Sequence, residues 1–154
     1  MKPKRLGLIG VGAHGARYAH HLAAGEVEGA VLAMICRRDR IQGEVQAKSL
    51  GVPFVGEYRR VLEDPGVDAV VLVLPPDQHV RLVPEALDAG KGVLVEKPLA
   101  PDVAGARSLV EAARRSGQKT MVAQTLRFNT VVRAIRERRE ALGELRVISL
   151  SQRF

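Results

Sequence analysis

A glycine-rich segment near the start of the chain has the spacing of a phosphate-binding loop. Gly10, Gly12 and Gly15 fit the pattern G-x-G-x-x-G, with Ala13 and His14 before the third glycine. The first glycine permits a tight turn, the second lets a pyrophosphate approach the backbone, and the third allows close packing of helix on strand. The segment therefore predicts a dinucleotide site in which a helix N-terminus and His14 face the phosphates. The alternatives are a structural turn without a ligand and a solvated histidine.

Two arginines lie where dinucleotide-binding domains choose their cofactor. About 20 residues past the glycines, NAD-binding domains usually place an acid that holds the adenosine ribose. This chain has Arg37 and Arg38 there, followed by Asp39. Guanidinium groups attract a ribose 2′-phosphate, so the pattern predicts NADP in preference to NAD. Two alternatives stay open: Asp39 is the acid in a register shifted by two, or both arginines are solvated.

Short apolar runs predict the strands that position these residues. The runs do not alternate with polar residues, which is typical of strands buried on both faces of a parallel sheet. They are Arg5–Ile9, Val31–Cys36, Val52–Phe54, Ala69–Leu74, Gly92–Val95 and Thr120–Ala123. Because helical patterns separate them, the predicted fold class is α/β, a doubly wound parallel sheet.

Apolar stripes at helical spacing predict the helices between the strands. The stripes are Ala16, Ala19 and Leu22; Val80, Val83 and Leu87; and Val103, Ala106, Val110 and Ala113. Pro84 is expected in the first turn of the second helix or at a kink in it. Ser116 and Gly117 are expected to end the third.

The last thirty residues depart from this alternation. Asn129 to Leu142 predicts an arginine-rich amphipathic helix, and Leu145–Leu150 predicts one more strand. We therefore expect two domains, a dinucleotide-binding domain at 1–124 and the helix and first strand of a truncated second domain at 125–154. A lone strand presents an open edge, so we expect a homo-oligomer, a dimer, to form through it.

Composition and charge restrict the class of protein. The chain has 154 residues, of which 46% are hydrophobic and 27% charged, an ordinary globular composition. No run approaches the roughly 20 apolar residues of a membrane span, and no signal peptide is expected. Because Cys36 is the single cysteine, no internal disulfide can form, and a cytoplasmic location is predicted. The net charge of +7 attracts anions, but aromatic residues make up only 3%, which argues against nucleic acid as the partner.

Two further segments carry a family resemblance. One is Leu74-Pro75-Pro76-Asp77-Gln78-His79, and the other is Ala89–Ala100, which contains Glu96-Lys97-Pro98. Together with the glycine loop they resemble the Gfo/Idh/MocA family, which contains glucose–fructose oxidoreductase and inositol dehydrogenase. Arg127-Phe128 and Gly143-Glu144-Leu145 are similar to further family segments, so the resemblance covers the whole chain.

The resemblance implies a Rossmann domain and hydride transfer between a nicotinamide cofactor and a sugar, polyol or related alcohol or ketone. It implies that Lys97 is the catalytic lysine and Glu96 its neighbour in the site. It also implies that Leu74, Pro75 and His79 contact the cofactor together with Glu96 and Lys97. Glu96 and Lys97 follow a predicted parallel strand, where doubly wound sheets bind ligands. The bland alternative is a surface Glu-Lys pair. The Lys97–Pro98 bond is a candidate for the cis isomer.

The chain departs from the family pattern in two places. Leu74 and Pro76 replace polar residues of the family's turn, so polar contacts to the cofactor from these two positions stay open. The family's second catalytic motif, an Asp and a His four residues later, does not occur before Phe154. The histidines are His14, His20, His21 and His79, and none has metal-ligand spacing with a carboxylate, so no metal is predicted. Two hypotheses therefore remain: an NAD(P)-dependent oxidoreductase or its cofactor-binding portion, and a non-catalytic dinucleotide-binding module acting in redox sensing or with a partner chain.

Overall fold

Six parallel strands form one sheet, as the apolar runs predicted. The structure, a computed structural model, describes residues 2–144, 146, 147 and 149. The sheet order is β3-β2-β1-β4-β5-β6, and all five neighbouring pairs are parallel. The strands are β1 (Lys4–Ile9), β2 (Ala30–Cys36), β3 (Phe54–Val55), β4 (Ala69–Leu72), β5 (Gly92–Val95) and β6 (Thr120–Val122). This is the doubly wound order, and it confirms the predicted fold class.

Five helices cover the two faces of this sheet. They are α1 (Ala13–Ala23), α2 (Arg40–Leu50), α3 (Tyr58–Glu63), α4 (Pro76–Asp88) and α5 (Val103–Ser116). Because successive strand residues point to opposite faces, Leu8 packs in a cluster with residues of α1 and α2. Ile9, the next residue, belongs to a second cluster with residues of α3, α4 and α5. The two hydrophobic clusters fix β1 at the centre of the sheet.

The observed elements differ from the predicted ones mainly at their ends. The strand predicted at Val52–Phe54 lies at Phe54–Val55, and the one predicted at Ala69–Leu74 ends at Leu72. Pro84 lies in the interior of α4, because Pro76 already occupies its first turn. The Lys97–Pro98 peptide bond is cis, as expected.

The predicted apolar stripe of α5 is wrong at Val103 and Val110, whereas Ala113 packs partly buried against the core. Val103 is 70% exposed and Val110 is 42% exposed, whereas Leu109 and Ala112 are buried against the sheet. Asp102 sets the start of the helix, because its side chain accepts a hydrogen bond from the N–H of Gly105 at 2.7 Å. The 3.6-residue period then places Leu109 and Ala112 inward.

The chain divides into two compact units, the first of which ends at Ala123 and the second of which begins at Gln124. The second unit contains a 3₁₀ turn at Thr125–Phe128, helix α6 (Thr130–Glu137) and a 3₁₀ turn at Arg139–Leu142. The single helix predicted over Asn129 to Leu142 is therefore wrong in extent. Glu137 to Glu140 contains no apolar residue that could continue the apolar face. The strand predicted at Leu145–Leu150 lies largely outside the described residues, and 146, 147 and 149 are not in a strand.

Candidate functional site

The glycine loop connects β1 to α1 in a conformation that needs two of its glycines. Gly10 has a φ of 98°, and a β-carbon there would lie 2.1 Å from the carbonyl oxygen of Val73. A β-carbon at Gly15 would lie 2.0 Å from the carbonyl oxygen of Gly10. Both overlaps involve backbone atoms, which cannot turn aside as a side chain does. These two glycines are therefore required by the packing of the protein itself.

Gly12 is different, because a β-carbon there would meet no atom of the described residues within 4 Å. It is the N-cap residue of α1, with a φ of −77° that any residue adopts, and no side chain caps the helix. The first turn, which includes Ala13 and His14, thus begins without a side-chain acceptor for its N–H groups. Such a helix start attracts an anion. The free space and the uncapped helix both fit the diphosphate of a dinucleotide.

A cleft of about 830 Å³ opens beside the loop, at the carboxyl ends of β1, β2 and β4. Ligands bind at this edge of a doubly wound sheet. The cleft is lined by Ile9–Gly12, Cys36–Asp39, Gly56–Arg59, Val73, Leu74, Gln78, Arg81 and Leu82. Burial, with a smaller contribution from the charge of Glu57, raises the pKa of Cys36 to about 11. The thiol therefore stays protonated and does not serve as a nucleophile in the cleft.

Arg37 is held by the protein's own groups. Its Nη1 donates to the carbonyl oxygen of Val11 at 2.8 Å and to Oε1 of Gln46 at 2.9 Å, and its Nη2 donates to Gln42. Asp39 is also engaged, because its Oδ1 accepts from the N–H of Gln42 at 3.0 Å and caps α2. Arg37 thus holds the glycine loop through the carbonyl oxygen of Val11, and Asp39 caps the N-terminus of α2.

Arg38 and Arg81 offer guanidinium groups to the cleft from two different elements. Across the described residues, neither makes a hydrogen bond or an ion pair, although Arg81 stacks on the ring of Tyr58 at 5.4 Å. Arg59 stacks on the same ring at 5.6 Å, and its Nε lies 3.8 Å from Oε2 of Glu85. Sequence reasoning missed Tyr58, Arg59 and Arg81, since no motif contains them. The cleft therefore carries positive charge that the described protein does not neutralise.

Glu96, which directly follows β5, accepts three hydrogen bonds. Oε1 accepts from Nε2 of His14 at 2.8 Å and from the hydroxyl of Tyr18 at 2.6 Å, and Oε2 accepts from the N–H of Lys97 at 2.9 Å. Burial opposes ionisation, but the hydrogen bonds from Tyr18, His14 and Lys97 hold the pKa of Glu96 below its ordinary value. Burial and the neighbouring carboxylate raise the pKa of Tyr18 well above its usual range. Glu96 is therefore an ionised acceptor at neutral pH.

Lys97 is exposed, and its ammonium group has no hydrogen-bond partner among the residues described. The turn that carries it is fixed from below by His79, which is fully buried. Nδ1 of His79 donates to the carbonyl oxygens of Pro98 and Leu99, both at 3.2 Å, while its Nε2 has no partner within the described part of the chain. The lysine thus extends from a braced turn.

The structure separates the predicted site residues into two groups. Leu74 lines the cleft, and Pro75 is the exposed N-cap residue of α4 beside it. Glu96, Lys97 and His79 do not line the cleft. Glu96 and Lys97 lie in the turn after β5, to which His79 of α4 donates hydrogen bonds, and His14 joins this turn to the glycine loop. Sequence reasoning missed Tyr18; its signal is the spacing of four residues from His14, which places both on one face of α1.

Two negative findings apply to the described residues. No group of three or more His, Cys, Asp or Glu side chains there is arranged to hold a metal ion. None of the helices described is both long enough and apolar enough to cross a bilayer.

Comparisons with known proteins agree with this geometry. Residues 4–124 match the model of a family described as an oxidoreductase family with an NAD-binding Rossmann fold, GFO_IDH_MocA. The chain is 32% identical, over 92% of its length, to scyllo-inositol 2-dehydrogenase (NAD(+)) of Bacillus subtilis, of which it covers 41%. It is 36% identical, over 74% of its length, to dTDP-3,4-didehydro-2,6-dideoxy-alpha-D-glucose 3-reductase of Saccharopolyspora spinosa, of which it covers 34%. The chain thus spans less than half the length of these relatives.

Solved structures show the same fold. Scyllo-inositol dehydrogenase from Lactobacillus casei, with bound NAD(H) and scyllo-inositol, superposes with a TM-score of 0.84 at 24% identity, over 91% of this chain and 42% of that one. A 3-ketoreductase from Actinomadura kijaniata, in complex with NADP and TDP-benzene, gives 0.82 at 29% identity, over 91% and 43%. With its glycine loop, its strand order and the match over residues 4–124, the chain belongs to the Gfo/Idh/MocA oxidoreductase family.

Proposed function

We propose that this chain is the cofactor-binding part of an oxidoreductase that moves hydride between a nicotinamide dinucleotide and the carbinol or carbonyl carbon of a sugar, polyol or related compound. The relatives include an inositol dehydrogenase and a dTDP-sugar reductase, which supports this substrate class. The observation that carries the proposal is Gly12, where open space lies beside an uncapped helix start. At the start of a helix that follows the first strand, such a glycine lets a diphosphate approach the backbone.

The residues of this chain would divide the work between two places. The N–H groups at the start of α1 would hold the diphosphate, which brings the first nucleotide to the cleft. The nicotinamide supplies the hydride acceptor or donor. Lys97 would act on the substrate oxygen, giving it a proton as the carbonyl carbon is reduced and taking that proton back as the alcohol is oxidised.

We infer that NADP is preferred and that Arg38, not Arg37, meets the 2′-phosphate. The hydrogen bonds of Arg37 to Val11, Gln42 and Gln46 use three of its five N–H donors, whereas in the described part of the chain Arg38, exposed at the cleft, keeps all of its donors for a ligand. Asp39 also lines the cleft, and because its Oδ1 caps α2, only Oδ2 is left to accept from a ribose hydroxyl. Arg81 adds further positive charge to the same cleft.

We also infer the organisation of the chain in the cell. Residues 1–124 would be the cofactor domain, in line with the family match and with the compact unit that ends at Ala123. Residues 125–154 would begin the substrate domain and join two copies in a cytoplasmic homodimer. Sedimentation of the chain with and without residues 143–154 tests the last point.

Titration calorimetry of the chain with NADPH and NADH tests the cofactor-binding function. We expect binding of at least one dinucleotide, and a loss of roughly tenfold or more in Gly12→Ala, because the new methyl group takes the space of the diphosphate. Gly12→Ala should unfold at the same denaturant concentration as the parent, which separates lost binding from lost folding. Absence of binding to either dinucleotide, or equal binding by Gly12→Ala, overturns the proposal.

A further inference from the structure

Glu96 connects two parts of the proposed site that are far apart in sequence. His14 and Tyr18, on α1, are 82 and 78 residues from Glu96. His14 lies inside the glycine loop, and Glu96 immediately precedes the proposed catalytic lysine. One carboxylate therefore ties the phosphate-binding helix to the turn after β5.

The connection has a buried acceptor, although the side chain of the donor His14 is 53% exposed. Glu96 is only 6% exposed, and its two oxygens accept three hydrogen bonds. The rings of His14 and Tyr18 pack edge to face, 5.6 Å apart and at 87°, which holds both donors toward the same oxygen. Charge-assisted hydrogen bonds of this kind are about twice as strong as neutral ones.

The same contacts remove Glu96 from acid–base chemistry. A buried carboxylate that three hydrogen bonds hold in its ionised form has no proton to give. The backbone N–H of Lys97 is one of its donors, so Glu96 holds the backbone of the turn from which the lysine extends.

We propose that Glu96, held by His14 and Tyr18, is a positioning residue: it docks the lysine turn onto the glycine-loop helix, and this docking places the turn against the nicotinamide half of the dinucleotide. The inference rests on the proposed function. In a doubly wound sheet the two nucleotides bind to opposite halves, so the end of β5 belongs to the second nucleotide and the end of β2 to the first. Loss of the hydrogen bonds between Glu96 and α1 should therefore reduce only the affinity that the nicotinamide half contributes.

The test compares each dinucleotide with the fragment that lacks the nicotinamide nucleoside, namely NADPH with 2′-phospho-ADP-ribose and NADH with ADP-ribose. The ratio of the fragment's Kd to the dinucleotide's Kd measures what the nicotinamide half contributes. We expect this ratio to fall about tenfold in Glu96→Gln and about threefold in Tyr18→Phe, while the Kd of the fragment changes less than twofold. The double variant should be no worse than Glu96→Gln, because both changes break one link.

Asp68→Asn is the matched control. Asp68 also accepts hydrogen bonds from a backbone N–H, that of Arg5 at 2.8 Å, and from a side chain, that of Lys4 at 3.1 Å. It lies just before β4, at the amino end of the strands, whereas the proposed site lies at their carboxyl end. In Asp68→Asn the ratio of the fragment's Kd to the dinucleotide's Kd should equal that of the parent. A ratio of one in the parent chain, an unchanged ratio in both Glu96→Gln and Tyr18→Phe, or an equal loss of fragment and dinucleotide would overturn the inference. Absence of fragment binding in the parent would instead contradict the proposed function.

Discussion

The two ends of the proposed site are built in opposite ways. At the cleft, Arg38 and Arg81 are exposed and make no ion pair within the described residues. At the end of β5, Glu96 and His79 are buried and hold one short turn from two sides. The difference suggests a division of labour: long exposed side chains attract a charged nucleotide, and a braced turn fixes the group that does chemistry.

Electrostatics supports this contrast. An exposed guanidinium can close on a phosphate after it arrives and gains affinity by doing so. A lysine that must meet a substrate oxygen within hydrogen-bond reach gains more from a fixed origin than from mobility. Changes at the cleft should therefore alter which cofactor binds, and changes at the turn should alter what happens after binding.

The largest expected effect separates chemistry from binding. In an active enzyme that contains this chain, Lys97→Ala should lower kcat by about 10³-fold, because proton transfer by a positioned side chain contributes roughly 10²- to 10⁴-fold. Its Kd for the dinucleotide should stay within threefold. Stopped-flow hydride transfer and calorimetry measure the two quantities. A variant with near-normal kcat would remove Lys97 from the catalytic role.

The next effect concerns the cleft alone. Arg38→Ala should weaken the binding of NADPH by about 10- to 100-fold and leave the binding of NADH unchanged, since a hydrogen bond to a charged group contributes roughly 1.5–3 kcal/mol. Arg37→Ala should instead lower stability and weaken both cofactors equally, because the glycine loop loses the donor at Val11. Parallel titrations of the two variants check this. The reverse pattern would assign the 2′-phosphate to Arg37.

We expect the protein to lose stability when the hydrogen bonds from His79 to the turn after β5 are removed. His79→Leu replaces the imidazole with an apolar side chain of similar size and leaves the carbonyl oxygens of Pro98 and Leu99 without their donor. We expect a loss of about 1–3 kcal/mol in the free energy of unfolding, measured with urea. His79→Asn, which can still donate, should lose less of that bond. Equal stability of parent and His79→Leu would show that the bifurcated contact contributes nothing.

The sequence predicted the sheet well because buried parallel strands are continuous apolar runs, and Gly92–Val95 matches to the residue. Helix α2 was harder, since its large apolar residues Ile41 and Val45 are exposed while Gly43 and Ala47 face inward. The inward face of α2 is made of small residues, which a search for apolar periodicity does not find. Apolar periodicity thus located the strands, but it did not identify the buried face of every helix.

The site was predictable where chemistry depends on local spacing. The three glycines act within six residues, so their pattern is visible in the sequence. The choice between Arg37 and Arg38 depends on a carbonyl 26 residues away, at Val11. The partners of Glu96 are still more distant. Which side chain is engaged by the protein and which is free for a ligand follows from tertiary contacts alone.

The smallest expected effect is the pH dependence that Glu96 gives to stability. The hydrogen bonds from Tyr18, His14 and Lys97 outweigh burial and hold the pKa of Glu96 in the folded chain below its ordinary value of 4.5. A carboxyl group with a lowered folded-state pKa stabilises the fold fully above its unfolded pKa, and this contribution is lost as the pH falls through the folded value. The free energy of unfolding of the parent minus that of Glu96→Gln should therefore be largest above about pH 5 and should decrease steadily below pH 4.5. Groups other than the donors to Glu96 titrate alike in both proteins and largely cancel in the difference, which urea unfolding at a series of pH values measures. A difference that stays constant from pH 5 to pH 3 would mean that the buried carboxylate is not held in its ionised form, and the turn would then be braced by His79 alone.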